Sequence, residues 1–196
     1  MRLFTLVLCY VLAACATTRH TAISDDVNIV PRSGWNANEP RPFKQHTPVR
    51  ITIHHEGTRF ELTGDAPKHI KNVQVWGMGK DRNWADIPYH FLIAPDGTIY
   101  EGRNPYTVGE TATEYDPSGH LLISCMGNFQ EQEFGKPQLD ALVRLIAHTC
   151  KKYNISYKTI ASHKDYSAKT DCPGKNLYQY LQNGYIKKEV KRLLKK

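Results

Sequence analysis

Two hydrophobic periods alternate along this chain, and that alternation limits its fold more than any other feature. Val49-Arg-Ile-Thr-Ile53 alternates β-branched and polar residues and reads as a strand running into His54-His55. Tyr89 to Ala94 and Thr98 to Glu101 flank Pro95-Asp96-Gly97, a turn signal between two strands. Leu121 to Met126 is a further apolar strand. Between these segments the period lengthens. Asp65 to Lys80 carries Pro67 in its first turn and Ile70, Val73 and Trp76 on one side, which predicts a helix. Leu139, Leu142, Val143 and Ile146 recur at helical spacing and predict a second helix over Leu139–Lys152. Strands and helices alternating without an internal repeat predict a single α/β domain, a central sheet flanked by helices.

The two ends read differently from the middle. Met1-Arg2 and the nearly unbroken apolar run Leu3 to Leu12 have the charge and length of a signal peptide over residues 1–14. The run closes on Leu12-Ala13-Ala14-Cys15, which resembles the bacterial lipobox, whose cysteine is lipidated and begins the mature chain. Ala16, where an Asp would signal retention, points by the same resemblance to Gram-negative lipoproteins of the outer membrane, with the domain facing the periplasm. Residues 15–30 are polar and read as a tether, 31–182 as the folded domain, and 183–196 as a basic amphipathic helix. Its apolar side is Ile186, Val190, Leu193 and Leu194. The last ten residues hold six basic side chains and one acidic, so most of the formal net charge of +7 sits in that tail. The rest of the domain is nearly neutral, which argues against a nucleic-acid groove. The tail reads as a docked helix with a solvated basic side; attraction to anionic lipid or wall polymer is the alternative.

Chemistry concentrates in two places. His54 and His55 stand where a strand ends and a loop begins, with Gly57 following, the usual place for a functional side chain on a rigid scaffold. Far downstream, His163 and Cys172 stand nine residues apart in a segment rich in turn-forming residues. One histidine from the strand end with a histidine and a cysteine from the loop make a three-ligand set for zinc, and three protein ligands with an open fourth position is the catalytic arrangement. Nine histidines supply many chance triples, so spacing alone does not select this one. Cys125, in an apolar strand, and Cys150, on a helix, read as two buried thiols, with a disulfide the alternative.

The wider wording selects it. Ile51-Thr-Ile-His-His-Glu-Gly-Thr58, Trp84-Ala-Asp-Ile-Pro-Tyr-His-Phe-Leu-Ile93, Pro95-Asp-Gly-Thr-Ile-Tyr-Glu-Gly-Arg103, Gly127-Asn-Phe129 and Thr170-Asp-Cys-Pro-Gly174 follow in this order. Together with Arg32-Ser-Gly-Trp35, they resemble the N-acetylmuramoyl-L-alanine amidase type 2 family, which includes the peptidoglycan recognition proteins and the phage lysozyme-type amidases. The resemblance spans roughly Pro31 to Leu181 and implies a central mixed β-sheet with helices on its faces. It implies one Zn²⁺ held by His54, His163 and Cys172, with Tyr89 and Thr170 as catalytic residues. The implied reaction is hydrolysis of the amide between the lactyl group of N-acetylmuramic acid and the L-alanine of the stem peptide, in cell-wall turnover or recycling. The partners are then peptidoglycan or muropeptides and, through Cys15, a membrane, with the protein a monomer. A non-catalytic peptidoglycan-binding module is the alternative; in that branch the cysteine ligand is commonly lost.

Around this core the assignments are looser. His55 points away from His54 by the strand period and reads as packing or support for the ligands. Glu56, beside the histidine pair, is a candidate for proton delivery to the leaving amine. His90 alternates away from Tyr89 and reads as structural. In Val108-Gly-Glu-Thr-Ala-Thr-Glu-Tyr-Asp-Pro-Ser-Gly-His120, Glu110 stands where many relatives have a groove-lining histidine, and His120 is a candidate replacement. The family branch that acts on anhydromuramyl products often has Glu at the position of Tyr89, so that specificity does not carry over.

Overall fold

A computed structural model describes residues 27–195. The segment 1–14, Cys15 and most of the tether lie outside the described residues. Six strands form one sheet: β1 (Ile29–Val30), β2 (Arg50–His55), β3 (Phe91–Ile93), β4 (Ile99–Glu101), β5 (His120–Cys125) and β6 (Ala161–Ser162). Their spatial order is β1-β4-β3-β5-β2-β6. β3 and β4 are the antiparallel hairpin around Asp96-Gly97, and the other neighbouring pairs are parallel, so the sheet is mixed. β1 pairs Ile29 with Ile99 and Val30 with Tyr100, so the sheet begins inside the segment read as tether.

Helices α1 (Ala66–Met78), α2 (Lys136–Tyr153), α3 (Lys175–Gln182) and α4 (Tyr185–Leu194) complete the α/β domain. The strand period decides which core each side chain enters. Ile51 and Ile53 of β2, Phe91 and Ile93 of β3 and Leu121 and Ile123 of β5 pack with α2 and α4 in the larger core. Leu92 faces the other way, into a core with Trp35, Ile70, Ile87 and Met126. His54 therefore falls on the side of β2 away from α2. α4 lays Ile186, Val190 and Leu193, all fully buried, into the larger core and leaves Lys188, Lys191 and Lys195 exposed. Cys125 and Cys150 are buried free thiols. No helix among the described residues is long and apolar enough to cross a membrane.

α1 begins as its sequence predicts: Asp65 caps it by accepting the Lys68 N–H at 3.0 Å, and Pro67 stands in the first turn. Its inward side is different. Ala66, Ile70, Gln74 and Gly77 are buried, while Trp76 is 54% exposed. Gln74 tolerates full burial because its amide is satisfied: Nε2 donates to Asp86 Oδ1 at 2.6 Å and Oε1 accepts the Asn38 N–H at 2.8 Å. A polar core residue is invisible to an apolar period, and the period placed Trp76 inside in its stead.

Candidate metal centre and groove

His54 is the last residue but one of β2, His163 opens the short 3₁₀ turn after β6, and Cys172 sits in the loop before α3. One ligand atom from each of the three lies within 4.8 Å of the others, and all three residues are buried. His54 Nδ1 is 3.6 Å from Cys172 Sγ, and the rings of His54 and His163 are 4.7 Å apart. Among the described residues no fourth His, Cys, Asp or Glu joins this group. Local structure fixes each member. The turn that carries His163 is held by Asp165, whose Oδ2 accepts the Ser162 N–H at 2.7 Å and its hydroxyl at 2.8 Å. Sγ of Cys172 accepts the His55 backbone N–H at 3.3 Å. The loop then passes so close to Phe129 that a Cβ on Gly174 would lie 2.3 Å from that carbonyl carbon; at φ +81° only glycine fits.

The remaining ring nitrogens are held by hydroxyls that the sequence reading missed. His163 Nε2 is 2.6 Å from Thr113 Oγ1, and His54 Nε2 is 3.3 Å from the Tyr115 hydroxyl. Thr113 Oγ1 is in turn 2.9 Å from Thr111 Oγ1. An imidazole that keeps its proton on Nε2 for such an acceptor turns the lone pair of Nδ1 toward the cluster. Burial, reinforced by neighbouring histidines, holds His54 well below its ordinary value, and burial brings His163 down to about 4, so both rings are neutral at pH 7. Burial also pushes the Cys172 thiol up to about 12, against the opposing His55 N–H, so a thiolate here requires a cation beside it. Two neutral imidazoles and one sulfur within reach of one point fit a zinc ion.

A cavity of about 590 Å³ opens beside the cluster and is lined by His163, Cys172, Tyr89, Thr170 and His55, among others. The Tyr89 ring is 5.4 Å from that of His54, and burial, with Cys172 and Glu56 adding to it, keeps the hydroxyl pKa well above its usual value. Thr170 Oγ1 accepts the Cys172 N–H at 3.1 Å, which leaves its own O–H free to donate. His55 stands outside the three-atom cluster: its Nδ1 accepts the Phe129 N–H at 3.1 Å on the opposite side of β2. Trp76 and Trp84 also line the cavity, their rings edge to face at 5.5 Å.

The three remaining candidates separate. Glu56 lines the cavity and bonds His69 of α1 at 2.5 Å, which raises the His69 pKa. Glu110 also lines the cavity, but its Oε2 is taken by the Arg103 guanidinium and by the Ala85 N–H at 2.9 Å. Arg103 is 1% exposed and otherwise donates to the carbonyls of Ile87, Val108 and Asp86 at 2.8, 2.6 and 3.0 Å. His120 is not brought into the cavity. It shares a face with His54, but it pairs with Arg50, four residues earlier on β2, or roughly 13 Å along the strand. There Nδ1 meets Thr52 Oγ1 at 2.7 Å and the ring packs on Tyr166.

The N-acetylmuramoyl-L-alanine amidase family matches residues 44–175. Peptidoglycan-recognition protein SD of Drosophila melanogaster is 33% identical over 167 residues, 82% of this chain and 88% of that protein. Its crystal structure aligns with a TM-score of 0.70 over 80% of this chain and 94% of the other. Peptidoglycan recognition protein LE, solved in complex with tracheal cytotoxin, aligns at 32% identity and a TM-score of 0.67 over 79% and 92%. The N-acetylmuramoyl-L-alanine amidase LysC of Clostridium intestinale aligns at 29% identity and a TM-score of 0.63 over 82% and 98%. Family match, sequence identity and fold thus agree: the chain belongs to the N-acetylmuramoyl-L-alanine amidase family, and it is similar both to an N-acetylmuramoyl-L-alanine amidase and to peptidoglycan-recognition proteins.

Proposed function

We propose that the protein hydrolyses the amide between the lactyl group of N-acetylmuramic acid and the L-alanine of the stem peptide, with one zinc ion held by His54, His163 and Cys172. The observation that carries this reading is the intact trio of donors at the edge of the cavity. A binding module needs the cavity; it has no use for a buried thiol raised to about 12 between two neutral imidazoles. A zinc ion there supplies Lewis acidity toward the lactyl carbonyl and an acidified water. Tyr89 donates a hydrogen bond to the carbonyl oxygen as negative charge grows on it. Thr170, its oxygen anchored by the Cys172 N–H, turns its O–H to the same space. Thr113 and Tyr115 hold the two imidazoles in their neutral, Nε2-protonated form.

Recognition without cleavage is the second reading, supported by the 33% identity with peptidoglycan-recognition protein SD. Metal analysis followed by mass spectrometry of muropeptides separates the two. Free stem peptide released by the zinc-loaded protein and not by Cys172→Ala supports the amidase; muropeptides bound and returned intact support recognition. We further propose that lipid on Cys15 ties a monomeric domain to the outer membrane, facing the periplasm. Fatty-acid labelling that is lost in Cys15→Ser tests that anchor.

A further inference from the structure

Among the described residues two carboxylates line the cavity, and no Lys or Arg does. Glu110 is committed to Arg103 and Ala85. Glu56 is only half committed. Its side chain is 4% exposed and Oε2 holds His69, but Oε1 is buried and has no hydrogen-bond partner among the described residues. A buried carboxylate oxygen without a donor is destabilising, so native proteins rarely keep one unless something else supplies the donor. The surroundings hold it in place. Gly57 follows with φ +73°. Gln132 then pins the loop from both sides, accepting the Phe60 N–H and donating to the Phe60 carbonyl, each at 3.0 Å.

Glu56 follows directly on the end of β2 and lines the same cavity as Tyr89, His163 and Cys172. A trans amide whose carbonyl oxygen turns toward that cluster directs its N–H the opposite way. We propose that Glu56 binds substrate: Oε1 accepts the N–H of the scissile amide, and His69, as a positioning residue, fixes the carboxylate through Oε2. This assignment rests on the amidase reading and names the ligand as an N-acylated L-amino acid. In the reaction, water divides across the C–N bond; OH joins the carbonyl carbon, H joins the nitrogen, and the hydrogen held by Glu56 leaves with the amine. Glu56 therefore neither gains nor loses a proton. It orients the leaving nitrogen.

The test pairs two substrates with two variants of the zinc-loaded protein. One substrate is an N-acetylmuramoyl-L-alanyl peptide; the other is its ester analogue, with L-lactate in place of L-alanine and oxygen in place of N–H. Glu56→Ala is expected to lower kcat/KM for the amide about 10- to 100-fold and to leave the ester within about threefold. Glu56→Gln keeps a carbonyl oxygen near the same point and is expected to retain more amide activity than Glu56→Ala. Equal losses on both substrates would mean a structural role and overturn the assignment, as would an amide rate unchanged in both variants. Wild-type protein that cleaves neither substrate would overturn the amidase reading, and the Glu56 assignment with it.

Discussion

Acidification should destabilise this protein through a buried structural histidine, His90, next in sequence to Tyr89. His90 is fully buried just ahead of β3, and both ring nitrogens are engaged: Nε2 donates to the Thr107 carbonyl at 2.9 Å, and Nδ1 accepts the Leu122 N–H at 2.8 Å. Only the neutral ring with its proton on Nε2 satisfies both bonds; a proton on Nδ1 would face the Leu122 N–H. Burial, with Arg103 and His46 adding to it, lowers the His90 pKa from 6.5 to about 3. Because the folded value lies below the unfolded one, the unfolded chain binds more protons between these two values. The contribution is therefore complete above pH 6.5 and is lost as pH falls toward 3. That gap limits it to about 5 kcal/mol, of which about 2 kcal/mol disappears between pH 7 and pH 5. Urea unfolding with a chelator present, at pH 7, 6 and 5, reads it directly. His90→Gln is expected to be less stable at pH 7 but to lose about 2 kcal/mol less than wild type on the way to pH 5. Other buried histidines titrate in both proteins and cancel in the difference. Equal losses in wild type and His90→Gln would refute the reasoning.

Thr113→Val removes the acceptor from His163 Nε2 and is expected to weaken zinc binding about 10- to 100-fold in a competitive chelator titration, with Thr113→Ser restoring it. Tyr115→Phe acts across a longer contact of 3.3 Å and is expected to have the smaller effect; unchanged affinity in both variants would mean the hydroxyls do not orient the rings. Arg103→Met strands the Glu110 carboxylate and three carbonyls, and about 3–5 kcal/mol of unfolding free energy should be lost in urea. Zinc at a hundredfold excess over its Kd should stabilise the wild type by about 2.7 kcal/mol, seen as a raised Tm, and should do far less for Cys172→Ala.

The parts of this fold that repeat were legible before the structure, and the parts that close on one another in space were not. Alternation in Val49–Ile53 set the parity of β2, and parity alone sends His54 and His55 to opposite sides of the sheet. The ligand loop was legible for another reason, since a cysteine between Thr170 and Pro173-Gly174 follows the wording of a known family. The buried side of α1 was missed because Gln74 is a polar residue satisfied only by Asp86 and Asn38, far away in sequence. Thr113 and Tyr115 lie in the stretch Val108–His120, where Glu110 departs from the family's pattern, and that departure was the only signal they carried. The structure shows why the departure holds together. Glu110 at the start of the stretch is locked to Arg103, and the segment beyond it delivers two hydroxyls to the rings of His163 and His54. The buried Arg103 ties the Val108 carbonyl at the start of that stretch to the carbonyls of Asp86 and Ile87. The orientation of the two imidazoles is therefore set by contacts about 50 and 60 residues away in sequence, which no local pattern records.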